Sequence, residues 1–393
     1  MSLSSSGSWL RQQRVSSNRS LALPTAHAST QARSLGTSAK SRCARCSTGC
    51  CRISSRTPAN VSRCASLSRG YERSHDACCT EVSDVTGSRI TGWGTALPEK
   101  VLTNDDLSAM MDTNDEWIVE RTGIKRRHVG GTTASLSIES ARRAMAMAGC
   151  DPASIDGLVL STTTPDRTVP ATSATVQDAL GLRCGAFDVN AACSGFVYAY
   201  VVANGLLAIG AKRLLVIGTD TLSRITDWGD RGTAILFADG SGAAVVEATN
   251  DAGQLLGWDL DADGSLEHLL YAEVGGYIHM DGKEVFRRAV RIMVDSANKS
   301  LAKAGLTTAD VALCVPHQAN LRIIDAACRQ LQIPPDKTAV VLHETGNTSS
   351  ASIPLALFDA ADRGRLHDGD IVLLVGFGAG MTAASAVIEW RNP

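Results

Sequence analysis

Residues 1–71 contain no aspartate and no glutamate. They also lack a continuous apolar run, which excludes a secretory signal, and they lack the apolar periodicity of a folded element. Lysine runs are missing too, which argues against a tail that binds nucleic acid. What remains is Ser, Arg, Ala and Thr, the composition of an organellar transit peptide. Residues 1–85 carry 12 Lys and Arg against 4 Asp and Glu, whereas the rest carries 26 against 36. The chain therefore reads as a disordered basic leader over 1–85 on an acidic body. Cleavage is expected between about residues 65 and 85, where acidity returns.

Other scarcities bound the body. Aromatics make up 4% of the chain, and Ala, Gly, Val, Leu and Thr take their place. That suits small-residue helices packed closely on strands. No apolar stretch reaches the roughly 18 residues of a membrane span. The longest, 197–211, is interrupted by Asn204 and fits a buried helix, so neither a membrane nor a nucleic acid is expected as partner. Seven of the 12 cysteines lie in the leader. Cys43-x-x-Cys46 with Cys50 has a zinc-like spacing but no folded frame around it, so no metal is expected. Cys150, Cys184, Cys193, Cys314 and Cys328 are odd in number and scattered, which points to a reducing compartment.

From residue 88 onward, strand and helix patterns alternate, as in an α/β layered fold. Strands are expected over 88–97, 158–161 and 186–189, then 311–315, 340–342, 371–375 and 383–389. Helices are expected over 103–111, 135–148, 171–180, 284–304, 320–331 and 350–363, with another from about Cys193. Two apolar strands are expected within 232–247, around an Asp239-Gly240 hairpin turn. Gly376-Phe377-Gly378-Ala379-Gly380 is glycine-rich, but the segment after it reads as a strand. A dinucleotide loop requires a helix there. The alternative is a loop whose backbone N–H groups approach a substrate closely.

The body also repeats itself. Asp156 opens a strand-like segment and Cys193 follows 37 residues on; Asp310 opens another and Asn347 follows 37 residues on. The repeat predicts that Cys193 and Asn347 occupy matching places and meet at a central pseudo-two-fold axis. Cys193 sits at a helix start among Ala191, Ala192 and Gly195, where the helix dipole is expected to lower the thiol pKa. A lone Cys among alanines is more often inert core, and a lone His more often structural. His317 follows a buried strand in Val315-Pro316-His317-Gln318. Asn347 lies in Gly346-Asn347-Thr348-Ser349, which is also a glycosylation sequon, discounted without a secretory signal, and also a possible helix cap. Taken together, the three are a nucleophile and two donors. Neutral His Nε2–H and Asn NH₂ both donate to one carbonyl oxygen, which would stabilise an enolate formed by loss of a carboxyl group. The thiolate would carry an acyl group. Its oxyanion would sit between the Cys193 N–H and one from Gly378, Ala379 or Gly380.

At 188–195, 315–324, 346–352 and 377–381 the chain resembles β-ketoacyl-acyl-carrier-protein synthase III, a family of condensing enzymes. The likeness runs over nearly all of 86–393 and includes Thr113-Asn114-Asp115-Glu116-Trp117-Ile118, Arg121-Thr122-Gly123-Ile124, Asp230-Arg231-Gly232-Thr233 and 280–286. The Cys/His/Asn set is shared with plant-type polyketide synthases, but the Trp117 and Arg231 segments favour synthase III. The resemblance implies a thiolase-like, duplicated five-layer αβαβα fold, with halves at 86–260 and 261–393, working as a homodimer. It implies Cys193 as acyl nucleophile, with His317 and Asn347 driving decarboxylation. Trp117 and Arg231 would clamp the coenzyme A adenine, and Arg322 would meet its phosphates or the carrier's phosphopantetheine. Arg287, Arg322 and Arg329 would form a patch for acyl carrier protein, although each arginine is equally readable as a solvated surface charge. The implied reaction condenses a short acyl-CoA, acetyl foremost, with malonyl-acyl carrier protein. The thioester and the phosphopantetheinyl carrier are substrates; no cofactor is implied. The family's home in eukaryotes implies the plastid stroma, with the mitochondrion as alternative. Val169 stands where many acetyl-specific members carry Phe, which leaves the starter open, and Ala379 replaces a family Gly. The rivals are a polyketide-type enzyme using coenzyme A substrates, a thiolase, which would need a second Cys at Asn347, and a silent carrier-binding homologue.

Overall fold

The computed structural model describes residues 87–393. The expected leader and its seven cysteines lie outside the described residues. The first half builds a sheet from β1 (Gly87–Ala96), β4 (Gly157–Ser161), β5 (Gly185–Val189), β6 (Arg213–Thr221) and β7 (Asp239–Thr249), in the order β1-β7-β6-β4-β5. Short strands β2 (Val101–Thr103) and β3 (Arg126–His128) pair beside it. Its helices are α1 (Asn104–Ser108), α2 (Asp115–Thr122), α3 (Thr133–Met147), α4 (Thr172–Ala179), α5 (Gly195–Ala208) and α6 (Arg231–Ala234). The second half builds β8 (Leu255–Ala262), β11 (Leu313–Pro316), β12 (Ile371–Gly378) and β13 (Thr382–Glu389) into the order β11-β12-β13-β8. A hairpin of β9 (Leu270–Ala272) and β10 (Ile278–Met280) follows β8. The helices are α7 (Gly282–Ala304), α8 (Leu321–Gln330), α9 (Leu342–Thr345) and α10 (Ser352–Asp362).

The period-two alternation of the strands assigns the layers. Leu158, Leu160, Leu215, Ile217 and Val245 face α3 and α4. The intervening Val159, Leu214, Val216 and Val246 face α5 and α10, whose Phe196, Tyr200, Ile353 and Phe358 also cover Val315, Val372 and Leu374 of the second sheet. The opposite face of that sheet, Leu373, Val375 and Val387, packs on Val285, Met293 and Leu301 of α7 and Ile324 of α8. The result is helix, sheet, helix, sheet, helix. Because α5 and α10 are buried between two sheets, they are apolar on nearly every side.

The two halves meet closely at Gly218 on β6. A Cβ there would lie 2.5 Å from the Ser350 carbonyl oxygen. Backbone cannot swing aside as a side chain does, so Gly218→Ala is expected to cost about 1–3 kcal/mol. Thermal unfolding reads this directly; an unchanged melting temperature would show that the junction is looser than drawn.

Four expectations are corrected. Asp239-Gly240 is no hairpin turn. Both residues lie inside β7 opposite Thr221 and Asp220, because the Asp239 carboxylate accepts the Gly130 N–H, the Ser223 N–H and the Ser223 hydroxyl. Residues 235–238 instead bond to Arg127 and Asn347. No strand forms at 340–342: the Gln318 Oε1 accepts the N–H groups of Val341 and Leu342, leaving only a bridge between Cys314 and Thr338. The boundary expected at 260/261 cuts β8, which belongs to the second sheet, so the halves divide between β7 and β8.

The fourth correction concerns the repeat. α5 and α10 each follow a 3₁₀ turn, Ala192–Ser194 and Ser349–Ala351. The first residue of each, Ala192 and Ser349, has left-handed φ, 48° and 52°. This pairs Cys193 with Ser350, and Asn347 with Asn190. The two asparagines make the same local bond: Asn190 Oδ1 accepts from Ala192 N–H at 3.3 Å, and Asn347 Oδ1 from Ser349 N–H at 3.0 Å. Equal spacing misleads because β4 begins directly after Asp156, whereas β11 begins only at Leu313.

Candidate active site

Cys193, His317 and Asn347 line one cavity of about 460 Å³, together with Trp117, Arg322 and Phe377. Three segments that are far apart in sequence converge there because each ends an element at the central layer. Cys193 sits in the 3₁₀ turn before α5, His317 directly follows β11, and Asn347 precedes the turn into α10. The backbone of Asn347 is held between Leu236 and Ala238, its N–H donating to one and its carbonyl accepting from the other, each at 2.9 Å. Its Oδ1 accepts from the Ser349 N–H, which leaves the NH₂ without a hydrogen-bond partner among the described residues. The His317 ring packs edge-on against Phe377, and its Nδ1 lies 2.6 Å from Ser352 Oγ.

The electrostatics differ from the expectation for Cys193. Burial pushes the thiol up to about 12; the Ser349 hydroxyl opposes this, and the buried Asp220 carboxylate adds to it. The resting sulfur is therefore a thiol, not a thiolate. A helix terminus contributes about 0.3–1 kcal/mol, under one pKa unit, while full burial shifts a group by up to about 3–5 units. Desolvation decides the sign. Burial also lowers His317 to about 3, so its imidazole is neutral at working pH.

Gly378 passes against Cys193: a Cβ on it would lie 2.7 Å from the Cys193 nitrogen. Ala379 and Gly380 line a second cavity of about 580 Å³ that also reaches Cys193 and is walled by Leu222, Ile225, Phe237 and Ile278. The segment after Gly380 is β13, as read from the sequence. Trp117 and Arg121 line the first cavity, and the Arg231 and Arg121 guanidinium groups lie 4.6 and 4.3 Å from the Trp117 ring centroid. Arg231 also donates to the Asp112 carbonyl at 2.7 Å. An adenine entering between Arg231 and Trp117 must part them. Arg322 and Arg329 lie exposed on α8, seven residues apart and so on one face. Arg287 is on α7 and already pairs with Glu284 at 2.5 Å.

Several site residues escaped the sequence reading. Asp220 accepts six hydrogen bonds, from Thr162, Thr163 and Thr164 on Oδ1 and from Ser350 on Oδ2. It ties the first-half loop to the turn after Asn347. Arg127 is fully buried and holds the Ile235 carbonyl beneath the cavity. The runs Thr162-Thr163-Thr164 and Ser349-Ser350 were visible signals, but their partner lies at least 56 residues away.

Comparison with known proteins follows the same lines. The model of a family described as 3-oxoacyl-[acyl-carrier-protein (ACP)] synthase III matches residues 187–264, and the model of its C-terminal part matches 301–390. A β-ketoacyl-[acyl-carrier-protein] synthase III of Roseiflexus castenholzii is 48% identical over 321 residues, covering 77% of this chain and 97% of that protein. The crystal structure of 3-oxoacyl-[acyl-carrier-protein] synthase III from Aquifex aeolicus VF5 is similar with a TM-score of 0.76 and 43% identity, over 77% of this chain and all of the other. The priming β-ketosynthase of the R1128 polyketide pathway is similar with a TM-score of 0.75 and 36% identity, over 79% and 98%.

Proposed function

This chain belongs to the β-ketoacyl-[acyl-carrier-protein] synthase III family, and from that premise we propose that Cys193, His317 and Asn347 carry its chemistry. The enzyme is an acyltransferase that initiates fatty acid synthesis, condensing a short acyl-CoA with malonyl-acyl carrier protein to give 3-oxoacyl-acyl carrier protein, coenzyme A and CO₂. The observation that carries the residue assignment is the single cavity shared by a buried thiol, a neutral imidazole and a carboxamide with its NH₂ free.

In the first step the Cys193 sulfur bonds to the acyl carbon, the bond to coenzyme A breaks, and the departing sulfur takes up the thiol proton. The oxyanion formed on the way accepts from the Cys193 N–H and an N–H of the 378–380 loop. In the second step the malonyl C–C bond breaks, CO₂ leaves, and the electron pair moves to the thioester oxygen. That oxygen accepts from the His317 Nε2–H and the Asn347 NH₂. The carbanion carbon then attacks the acyl-cysteine carbonyl carbon, the carbon–sulfur bond breaks, and the released Cys193 thiolate takes a proton from water. Incubation with an acyl-CoA panel and malonyl-acyl carrier protein tests the whole reading: 3-oxoacyl-carrier product is expected, and a polyketide-type activity would proceed equally with malonyl-coenzyme A. Failure of any acyl group to reach Cys193 would leave a silent carrier binder.

Trp117 supplies a stacking face for adenine, which coenzyme A has and the carrier lacks. Trp117→Ala is expected to raise KM for acyl-CoA roughly 5- to 100-fold, from about 1–3 kcal/mol of stacking, with KM for the carrier unchanged. Equal rises for both substrates would place Trp117 elsewhere in the mechanism.

The apolar walls of the second cavity fit an aliphatic starter, and the same panel reads the preferred length. We place Val169 of a second copy at its rim: Val169 is 81% exposed, and β5 is an edge strand with Phe187 40% exposed, which suits pairing between copies. Sedimentation showing a monomer would remove this arrangement. The patch of Arg322 and Arg329 suits an acidic carrier; reversing both charges should raise KM for the carrier alone. For the acid-free segment 1–71 we propose targeting to a plastid. A fusion of residues 1–85 to a fluorescent protein would refute this by staying in the cytosol or entering mitochondria.

A further inference from the structure

We propose that Ser352 is a positioning residue that keeps His317 in the Nε2–H tautomer, so that the imidazole donates to substrate and does not accept the Cys193 proton. This rests on the reading above, in which His317 acts on the malonyl carrier.

Ser352 Oγ lies 2.6 Å from His317 Nδ1 and 3.3 Å from the Gln318 nitrogen. A hydroxyl has one proton and two lone pairs. The Gln318 N–H is only a donor, so Oγ accepts there. Ser352 is buried, and among the described residues Oγ has no further hydrogen-bond partner. If Nδ1 carried the proton, Oγ would accept twice and its own O–H would be buried without an acceptor, at a cost of about 1–3 kcal/mol. The satisfied arrangement has Oγ–H donating to a bare Nδ1. Nε2 then carries the ring proton.

The consequence separates the two steps. A base needs a lone pair, and the only one on the ring is occupied by the Ser352 hydroxyl. The thiol proton of the first step therefore passes to the leaving coenzyme A sulfur, and His317 serves only the second. The fold itself does not demand a hydroxyl at this place. The equivalent residue at the start of α5 is Gly195, which has no side chain.

Long-range ¹H–¹⁵N spectra of histidine-labelled enzyme read the tautomer, with His317 identified by its loss in His317→Gln. Wild type is expected to show protonated Nε2 and bare Nδ1 from pH 5 to 9. Ser352→Ala should mix the tautomers and slow CO₂ release roughly 10- to 100-fold, with Cys193 acylation within about twofold; Ser352→Thr should restore most of the loss. A wild-type Nδ1–H spectrum overturns the proposal, and it needs no Ser352 variant to fold. Equal slowing of both steps in a folded Ser352→Ala enzyme also overturns it. Wild type that takes up acyl groups but releases no CO₂ would instead defeat the functional reading beneath it.

Discussion

Cys193→Ala is expected to abolish acyl uptake and to lower overall turnover by roughly 10⁴-fold or more, because in the proposed mechanism Cys193 alone carries the acyl group. Mass spectrometry of the peptide carrying residue 193 after exposure to acyl-CoA reads the loss; persistent acylation elsewhere would dismiss Cys193 as nucleophile. The wild-type thiol should also report its surroundings. Burial holds it at about 12. Alkylation by iodoacetamide should then climb roughly tenfold per pH unit from 7 to 10, with no plateau. A plateau near neutrality would mean that the helix terminus outweighs desolvation. The linked effect on stability has a defined sign. The fold favours the protonated thiol, so this contribution is complete below about pH 9, the ordinary thiol value, and is lost as pH rises through about 12.

His317→Ala and Asn347→Ala should each slow CO₂ release from malonyl-acyl carrier protein by roughly 10²–10³-fold, the usual loss of one preorganised donor, while Cys193 still acylates within a few-fold. The double variant should fall less than the product of the two, since both donors serve one oxygen. Paired measurement of CO₂ release and acyl-enzyme formation separates the steps. A parallel fall in both would make these residues structural. The pH profile adds a second test. His317 is held neutral down to about 3 against an ordinary value near 6.5, so CO₂ release should show no acid limb at pH 6–7 from this group. The neutral imidazole is the favoured folded form. Its contribution to stability is therefore present above about pH 6.5 and lost as pH falls through about 3.

By itself the sequence singled out the groups proposed to do the chemistry and determined what kind of layers hold them. Cys193, His317 and Asn347 lie at strand and helix ends, and such ends are written in local alternation, caps and glycines, within a few residues. The same local signals carried β12, β13 and α7, and they excluded a dinucleotide loop at 376–380. Tertiary structure alone decided how distant segments meet. It paired Cys193 with Ser350 and not with Asn347, because loop lengths shift a repeat without changing its pattern. It drew β8 into the second sheet and spent the N–H groups of Val341 and Leu342 on Gln318, so the strand expected there never formed. It raised the thiol that a helix start alone would have lowered, and it stacked Arg231 on Trp117, the two residues expected to clamp an adenine. Each of these depends on burial or on a distance between residues far apart in the chain. Desolvation and contact are properties of the packed interior, and no window of sequence contains them.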